Sequence, residues 1–335
     1  MRSVLFVVVL FLITKNITAQ DPNFSQFFSS PLTLNPAFTG KFFGAYRFAA
    51  NHRNQWPTIN NAFTTTTASV DFQILKNKIA ANDTWGVGFS GLSDQGAAGA
   101  VKFNYGSFST AYHKGLDEDG FHQLGAAFQV TYANMFVDLT KIKFADQLTT
   151  LGFTGVTSEV FDFNTLKSNY VDINAGLLYN GSTSDKNNFY VGVSMYHINR
   201  PAQQFTGASY LINPRTNFHA GGYFPIGETS TLHLSASQIL QAGASQTMLG
   251  GAVQLTASSS DPNKPTSIYA GSWIRFNDAI IPYIGIEFND FRIGATYDYN
   301  YSSLRTASQN RGGIEVSIIY IHRPSTDRPV NCPKF

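Results

Sequence analysis

The chain has 335 residues, with 23 Lys and Arg against 21 Asp and Glu. Arg2 and Lys15 lie within residues 1–19, so the rest carries 21 cations and 21 anions, which argues against a nucleic-acid-binding face and against a polybasic membrane arm. With 29 Phe, 16 Tyr, 28 Gly, one Cys and 13% charged residues, the composition lacks the Lys and Glu of a solubilised globular surface and points away from disulfide scaffolds, zinc ribbons and coiled coils.

Residues 1–19 read as an export signal: Arg2, then the apolar run Val4 to Ile13, then Ile17-Thr18-Ala19, with cleavage expected before Gln20. The apolar run is about half of the roughly 20 residues that a spanning helix needs. Residues 20–41 form an extended amino-terminal segment in which Asp21-Pro22, Ser30-Pro31 and Asn35-Pro36 each bias the preceding residue away from helix. From Phe42 the period is two. Ala68, Val70, Phe72 and Ile74 alternate with Thr67, Ser69, Asp71 and Gln73, which is a strand with one dry and one wet face. The same pattern predicts strands near 42–53, 64–75, 84–93, 101–113, 121–136, 170–180, 188–198, 216–225, 230–240, 246–256, 267–276, 280–289, 291–300 and 311–321. Asp117 to Gly120, Asn180-Gly181-Ser182, Ile226-Gly227-Glu228 and Phe288-Asn289-Asp290 supply hairpin turns, while 137–169, 199–215 and 258–265 are longer links. A Pro-rich tail, His322 to Phe335, cannot continue the sheet and holds the solitary Cys332.

These elements predict an all-β fold: a transmembrane outer-membrane β-barrel of about 14 antiparallel strands over residues 42–321, with 12 or 16 as the alternatives. An open sheet of this size would leave uncapped edges. Arg47, Arg53, Asp71, Lys102, Asp172, Arg275, Glu287, Arg292, Asp298 and Glu315 all read as the polar parity, opposite faces such as Phe291, Ile293, Ala295, Tyr297 and Tyr299. A charge facing lipid at mid-bilayer costs about 2 to 4 kcal/mol, so the charged parity should line the lumen. Trp85, Tyr112, Tyr179, Tyr196 and Tyr320 are candidates for interfacial belts, and Arg311, Gly313, Val316 and Ile318 fit a loose last-strand assembly signal.

The sequence supplies no catalytic constellation. Gly86, Gly88 and Gly91 match G-x-G-x-x-G, but inside a strand, where small residues packing a wall explain them better than a pyrophosphate site. No nucleophile elbow, zinc spacing or calcium register appears, so no catalytic, cofactor or metal residue is expected. Two aromatic-polar segments, Asn35 to Gly40 and Arg53 to Pro57, read either as turn chemistry or as a docking surface. Loop 199–215 joins them through Arg200, Pro201, Phe205, Tyr210 and Arg215. With both chain ends periplasmic, strand parity puts the Arg53 to Pro57 turn and loops 137–169 and 199–215 on the outer rim. The partner-binding candidates are Asn35, Pro36, Arg53, Gln55, Trp56, Arg200, Phe205, Tyr210 and Arg215.

Asp21-Pro-Asn-Phe-Ser-Gln26, Pro31-Leu-Thr-Leu-Asn-Pro-Ala-Phe-Thr-Gly40 and Arg53-Asn-Gln-Trp-Pro57 resemble the opening of the PorP/SprF family of type IX secretion membrane proteins of Bacteroidetes. Asp172 to Tyr179, His197 to Pro201, Gly312 to Ser317 and Asn331 to Phe335 extend the resemblance over the mature chain. It implies an outer-membrane protein that works with other type IX secretion components and, in some members, exports or attaches client proteins with carboxy-terminal sorting domains, such as gliding adhesins. Outer-membrane lipid is the expected surround, nucleic acid is not a partner, and no enzyme is implied. Two competing functions are a solute channel and a lipid hydrolase. The ten charges divide five and five, against the single-sign rings of selective pores, and the hydrolase lacks a nucleophile and base at recognisable spacing.

Overall fold

The computed structural model describes residues 21–324 except 60, 61, 77, 161–164, 185, 206, 207 and 258–265. The leader, its cleavage position and Cys332 lie outside the described residues. The alternating segments form fourteen barrel strands: β1 Tyr46–Gln55, β2 Phe63–Ile74, β3 Thr84–Gly96, β4 Val101–Gly115, β5 Gln123–Asp138, β6 Thr165–Gly181 and β7 Asn188–Tyr196. They continue with β8 Arg215–Pro225, β9 Ser230–Gln241, β10 Ala244–Ala257, β11 Thr266–Arg275, β12 Ala279–Phe288, β13 Phe291–Asn300 and β14 Arg311–His322. Each pairs antiparallel with its sequence neighbours, and β1 pairs with β14 from Tyr46↔His322 to Gln55↔Gly313, closing the barrel. No described helix is long and apolar enough to cross a membrane.

The strand ends define two rims. One carries the links 56–62, 97–100, 139–164, 197–214, 242–243, 276–278 and 301–310; this is the loop rim. The opposite turn rim carries 75–83, 116–122, 182–187, 226–229 and 289–290, and also the ends of β1 and β14 at Tyr46 and His322. Two loop-rim links contain their own hairpins, Leu148–Thr149 with Gly152–Phe153 and Ala202–Phe205 with Ala208–Leu211.

Facing follows the alternation. Phe48, Val70, Phe89, Phe108, Phe128, Ile284, Ile293 and Val316 are exposed on the outer wall, whereas Arg47, Arg53, Asp71, Asp172, Arg275, Glu287, Asp298 and Glu315 are buried inside. Lys102 is a correction to the expected parity. It pairs with Gln95 and Phe136 on the outward face, two residues from exposed Asn104, because β4 runs past the apolar band and polar side chains there no longer mark the lumen. Trp85 and Tyr112 stack edge to face at 6.1 Å on the outer wall, as a belt requires, but Tyr196 is buried in the lumen beneath Arg215.

The lumen is filled by the chain's own amino-terminal segment. Asp21 lies at the loop rim, beside His197, Arg215 and Gln241, and Ala45 reaches the turn rim, where its amide donates to His322. Residues 21–45 therefore run the length of the barrel as a plug, so the two described chain ends sit at opposite rims and the expectation of both at one rim is corrected. Nor is the segment extended. Pro31 and Pro36 each open a single helical turn, Pro31–Leu34 and Pro36–Phe38, because their fixed φ suits the first turn while Ser30 and Asn35 before them stay non-helical.

Candidate functional site

Four clusters of polar side chains hold the plug. Near the loop rim, the Asp21 carboxylate lies 2.7 Å from His197 Nε2 and 3.3 Å from Arg215, and His197 Nδ1 lies 3.0 Å from Asp172. Arg215 also stacks over the Tyr196 ring at 4.2 Å. In the second cluster, the amides of Ser25 and Gln26 donate to the two Glu315 carboxylate oxygens at 2.7 and 2.9 Å, and Asn51 donates to the same group at 2.7 Å. Asp298 accepts from Ser25, Arg53 and Arg275 at 2.7 to 2.8 Å, and Arg53 donates to the Asn23 carbonyl at 2.5 Å. Since Glu315 belongs to β14 and Asn51 and Arg53 to β1, this cluster staples the closing seam from within.

The third cluster is built on Asn35. Its Oδ1 accepts from the Ala37 amide at 2.8 Å, its Nδ2 donates to the Leu177 carbonyl at 3.0 Å, and Ser194 and Asn217 donate to the Leu34 carbonyl. The wall makes room here with glycine: a Cβ on Gly176 would sit 1.9 Å from Asn35 Oδ1. In the fourth, Asp71 accepts from the Gly40 amide at 2.8 Å and pairs with Arg47, which donates to the Phe38 carbonyl at 3.0 Å. A Cβ on Gly86 would meet the Thr39 carbonyl oxygen at 2.4 Å, so Gly86 is a close-approach position for the plug backbone, while Gly91 faces outward. Between clusters the contact is apolar: Phe28 packs on Trp273 and Tyr283 at 4.7 and 5.5 Å, and Phe38 on Tyr190 at 5.4 Å. Buried charge needs such partners, because a desolvated ion left unpaired costs several kcal/mol.

A family model for "Type IX secretion system membrane protein PorP/SprF" matches residues 16–320, which takes in the plug and the barrel almost to its last residue. The chain belongs to the PorP/SprF family. No curated protein matches it. Solved barrels with a similar course include a Pseudomonas aeruginosa FadL homologue (10% identity, TM-score 0.48, 87% of this chain and 94% of that one) and the Ralstonia pickettii toluene transporter TbuX (10%, 0.48, 88% and 93%). The NanC porin is a third (8%, 0.42, 84% and 100%). At these scores they add nothing to the barrel already evident in the strand pairing.

In this PorP/SprF barrel the nine candidate residues divide. Asn35, Pro36, Arg53 and Arg215 turn inward, and Asn35 and Arg53 are at most 1% exposed, so all four hold the plug and offer little to a docking partner. Gln55, Trp56, Arg200, Phe205 and Tyr210 belong to the loop rim. Trp56 stacks edge to face on Phe63 at 5.7 Å, Arg200 is exposed, and Tyr210 is 62% exposed on the 202–211 hairpin, whose Gln204 backbone amide donates a hydrogen bond to Ser168 Oγ on β6. Sequence reasoning missed Ser25, Gln26, Phe28 and Phe38 as functional residues. For Gln26 a signal was Gly294 on the lumen parity of β13, where an added Cβ would sit 2.8 Å from Gln26 Oε1, while Gly86 and Gly88 mark the approach of Thr39, Gly40 and Leu32.

Proposed function

We propose that the protein is a plugged outer-membrane scaffold that works by protein–protein contact at its loop rim, engaging other type IX secretion components and client proteins with carboxy-terminal sorting domains, gliding adhesins among them. The export signal is cleaved before Gln20, and the loop rim faces the outside, as the longer loops of such barrels do. The observation that carries this reading is the filled lumen: with residues 24–32 and 34–42 buried along the barrel interior, the surfaces left for a partner are the rims and the outer wall. A solute channel would require that segment to leave, breaking all four polar clusters. Among the described residues no group of three or more His, Cys, Asp and Glu could hold a metal ion.

The test is client retention. Phe205→Ser with Tyr210→Ser should lower surface retention of a sorting-domain client at least tenfold while barrel assembly, read from heat-modifiable migration, stays normal, since both residues are in a loop hairpin. Wild-type retention in that double variant would refute docking at this hairpin.

A further inference from the structure

Strands β3 to β6 are long, 13, 15, 16 and 17 residues, and their outward faces change character along their length. In register, successive outward rows read Phe89, Phe108, Val130, Ile173, then Gly91, Gly106, Tyr132, Val171. Next come Ser93, Asn104, Asn134, Asn169, and nearest the loop rim Gln95, Lys102, Phe136, Lys167. On β12 and β13 the outward residues stay apolar up to the loop rim, at Ile280 and Tyr299.

Height decides what the polar rows face. Lys102 is thirteen residues from the turn-rim end at Gly115, and Lys167 is fourteen from Gly181. At about 3.3 Å per residue and a tilt of about 40°, both stand about 33 to 35 Å above that rim, beyond an apolar band about 25 Å tall. The asparagine row lies just below them, at the boundary. Ser93 donates to Asn104 at 2.9 Å and Asn134 to Asn169 at 2.6 Å, bonds that leave the amide donors of Asn104 and Asn169 unused. Below that row the wall is notched: a Cβ on Gly106 would meet nothing within 4 Å, beside Tyr132, which is 57% exposed.

We propose that this sector binds an anionic, phosphate-bearing glycolipid of the leaflet next to the loop rim. Its acyl chains lie on Phe89 and Phe108 and in the notch at Gly91 and Gly106, its sugar hydroxyls meet the asparagine row, and its phosphate is held between Lys102 and Lys167. The two lysines are two strand spacings apart, about 10 Å between backbones, and their long stems let both ammonium groups reach one phosphate. An amphiphile is the fitting occupant because the site continues the lipid-facing wall and turns polar where a membrane lipid does. The inference rests on the outer-membrane placement proposed above but not on client docking.

Titration of the purified barrel in detergent with lipid A, followed by native mass spectrometry, tests it. Lys102→Ala with Lys167→Ala should weaken binding at least tenfold, Gly106→Leu should weaken it by filling the notch, and Lys102→Arg with Lys167→Arg should retain it. On the wild-type protein, dephosphorylated lipid A and phosphatidylethanolamine should bind at least tenfold more weakly, a comparison that needs no variant to fold. Equal binding of those two lipids, or unchanged binding in the alanine pair, would overturn the proposal and leave the sector to a protein neighbour. A failure of client docking at Phe205 and Tyr210 would leave it standing.

Discussion

Single residues decide how firmly the plug is seated. Burial disfavours a charge on His197, but hydrogen bonds to Asp172 and Asp21 and their negative charges outweigh it and push the imidazole up to about 9. Burial likewise opposes ionisation of Asp21, and Arg215 with His197 outweighs that, holding the carboxyl well below the usual carboxylate range. A raised histidine stabilises fully below its ordinary value of 6.5, and that contribution is lost as pH rises through about 9. A lowered aspartate stabilises above its ordinary 3.8 and loses that contribution as pH falls through the lowered value. Protease access to the amino-terminal end should therefore increase between pH 7 and 10, and His197→Gln should flatten that rise; a wild-type profile flat over this range would contradict the latch. Glycines give a second test. Gly86→Ala places its Cβ 2.4 Å from the Thr39 carbonyl and should destabilise by about 1 to 3 kcal/mol, read as a lower heat-modification temperature, whereas Gly106→Ala meets open space and should be near neutral.

At the scale of the strand, facing is what a substitution tests. Val70 is exposed on the outer wall, and Val70→Arg should cost about 2 to 4 kcal/mol in assembly. Ser69→Arg should cost less, since it enters a lumen face two residues from Asp71. Equal yields of folded barrel would contradict the facing. The seam is another element with a sharp test. Glu315→Ala leaves the Ser25 and Gln26 amides and Asn51 without their shared acceptor and removes the carboxylate 3.9 Å from Arg53, and losing one partner of a buried charge cluster costs about 3 to 5 kcal/mol. The variant should unfold in detergent well below the wild-type temperature. All fourteen strands were legible because lipid on one side and polar lumen on the other impose a strict period of two. Legibility failed where that contrast ends. The start of β6, read at 170, lies at Thr165, because Lys167 and Asn169 face outward above the lipid band and spoil the alternation. Phe42 read as the start of β1, yet it is a buried plug residue under the Arg47 guanidinium, 4.9 Å away.

For the whole molecule, the plug was the part sequence could not supply. Its residues look like turn chemistry because its structure comes from partners far along the chain; the Gln26 amide and its Glu315 acceptor are 289 positions apart. No local period encodes that, although the balance of lumen charges and the lumen-facing glycines are its imprint on the wall. A barrel stapled from inside across its own seam supports the proposed scaffold role, with partners met at its rims and outer surface. Planar-bilayer conductance of the purified protein tests this most directly. Wild-type protein should give no steady single-channel current, and Glu315→Ala with Asp71→Ala, which loosens two of the four clusters, should give flickering openings if it assembles. Stable ohmic conductance in the wild type would contradict the account.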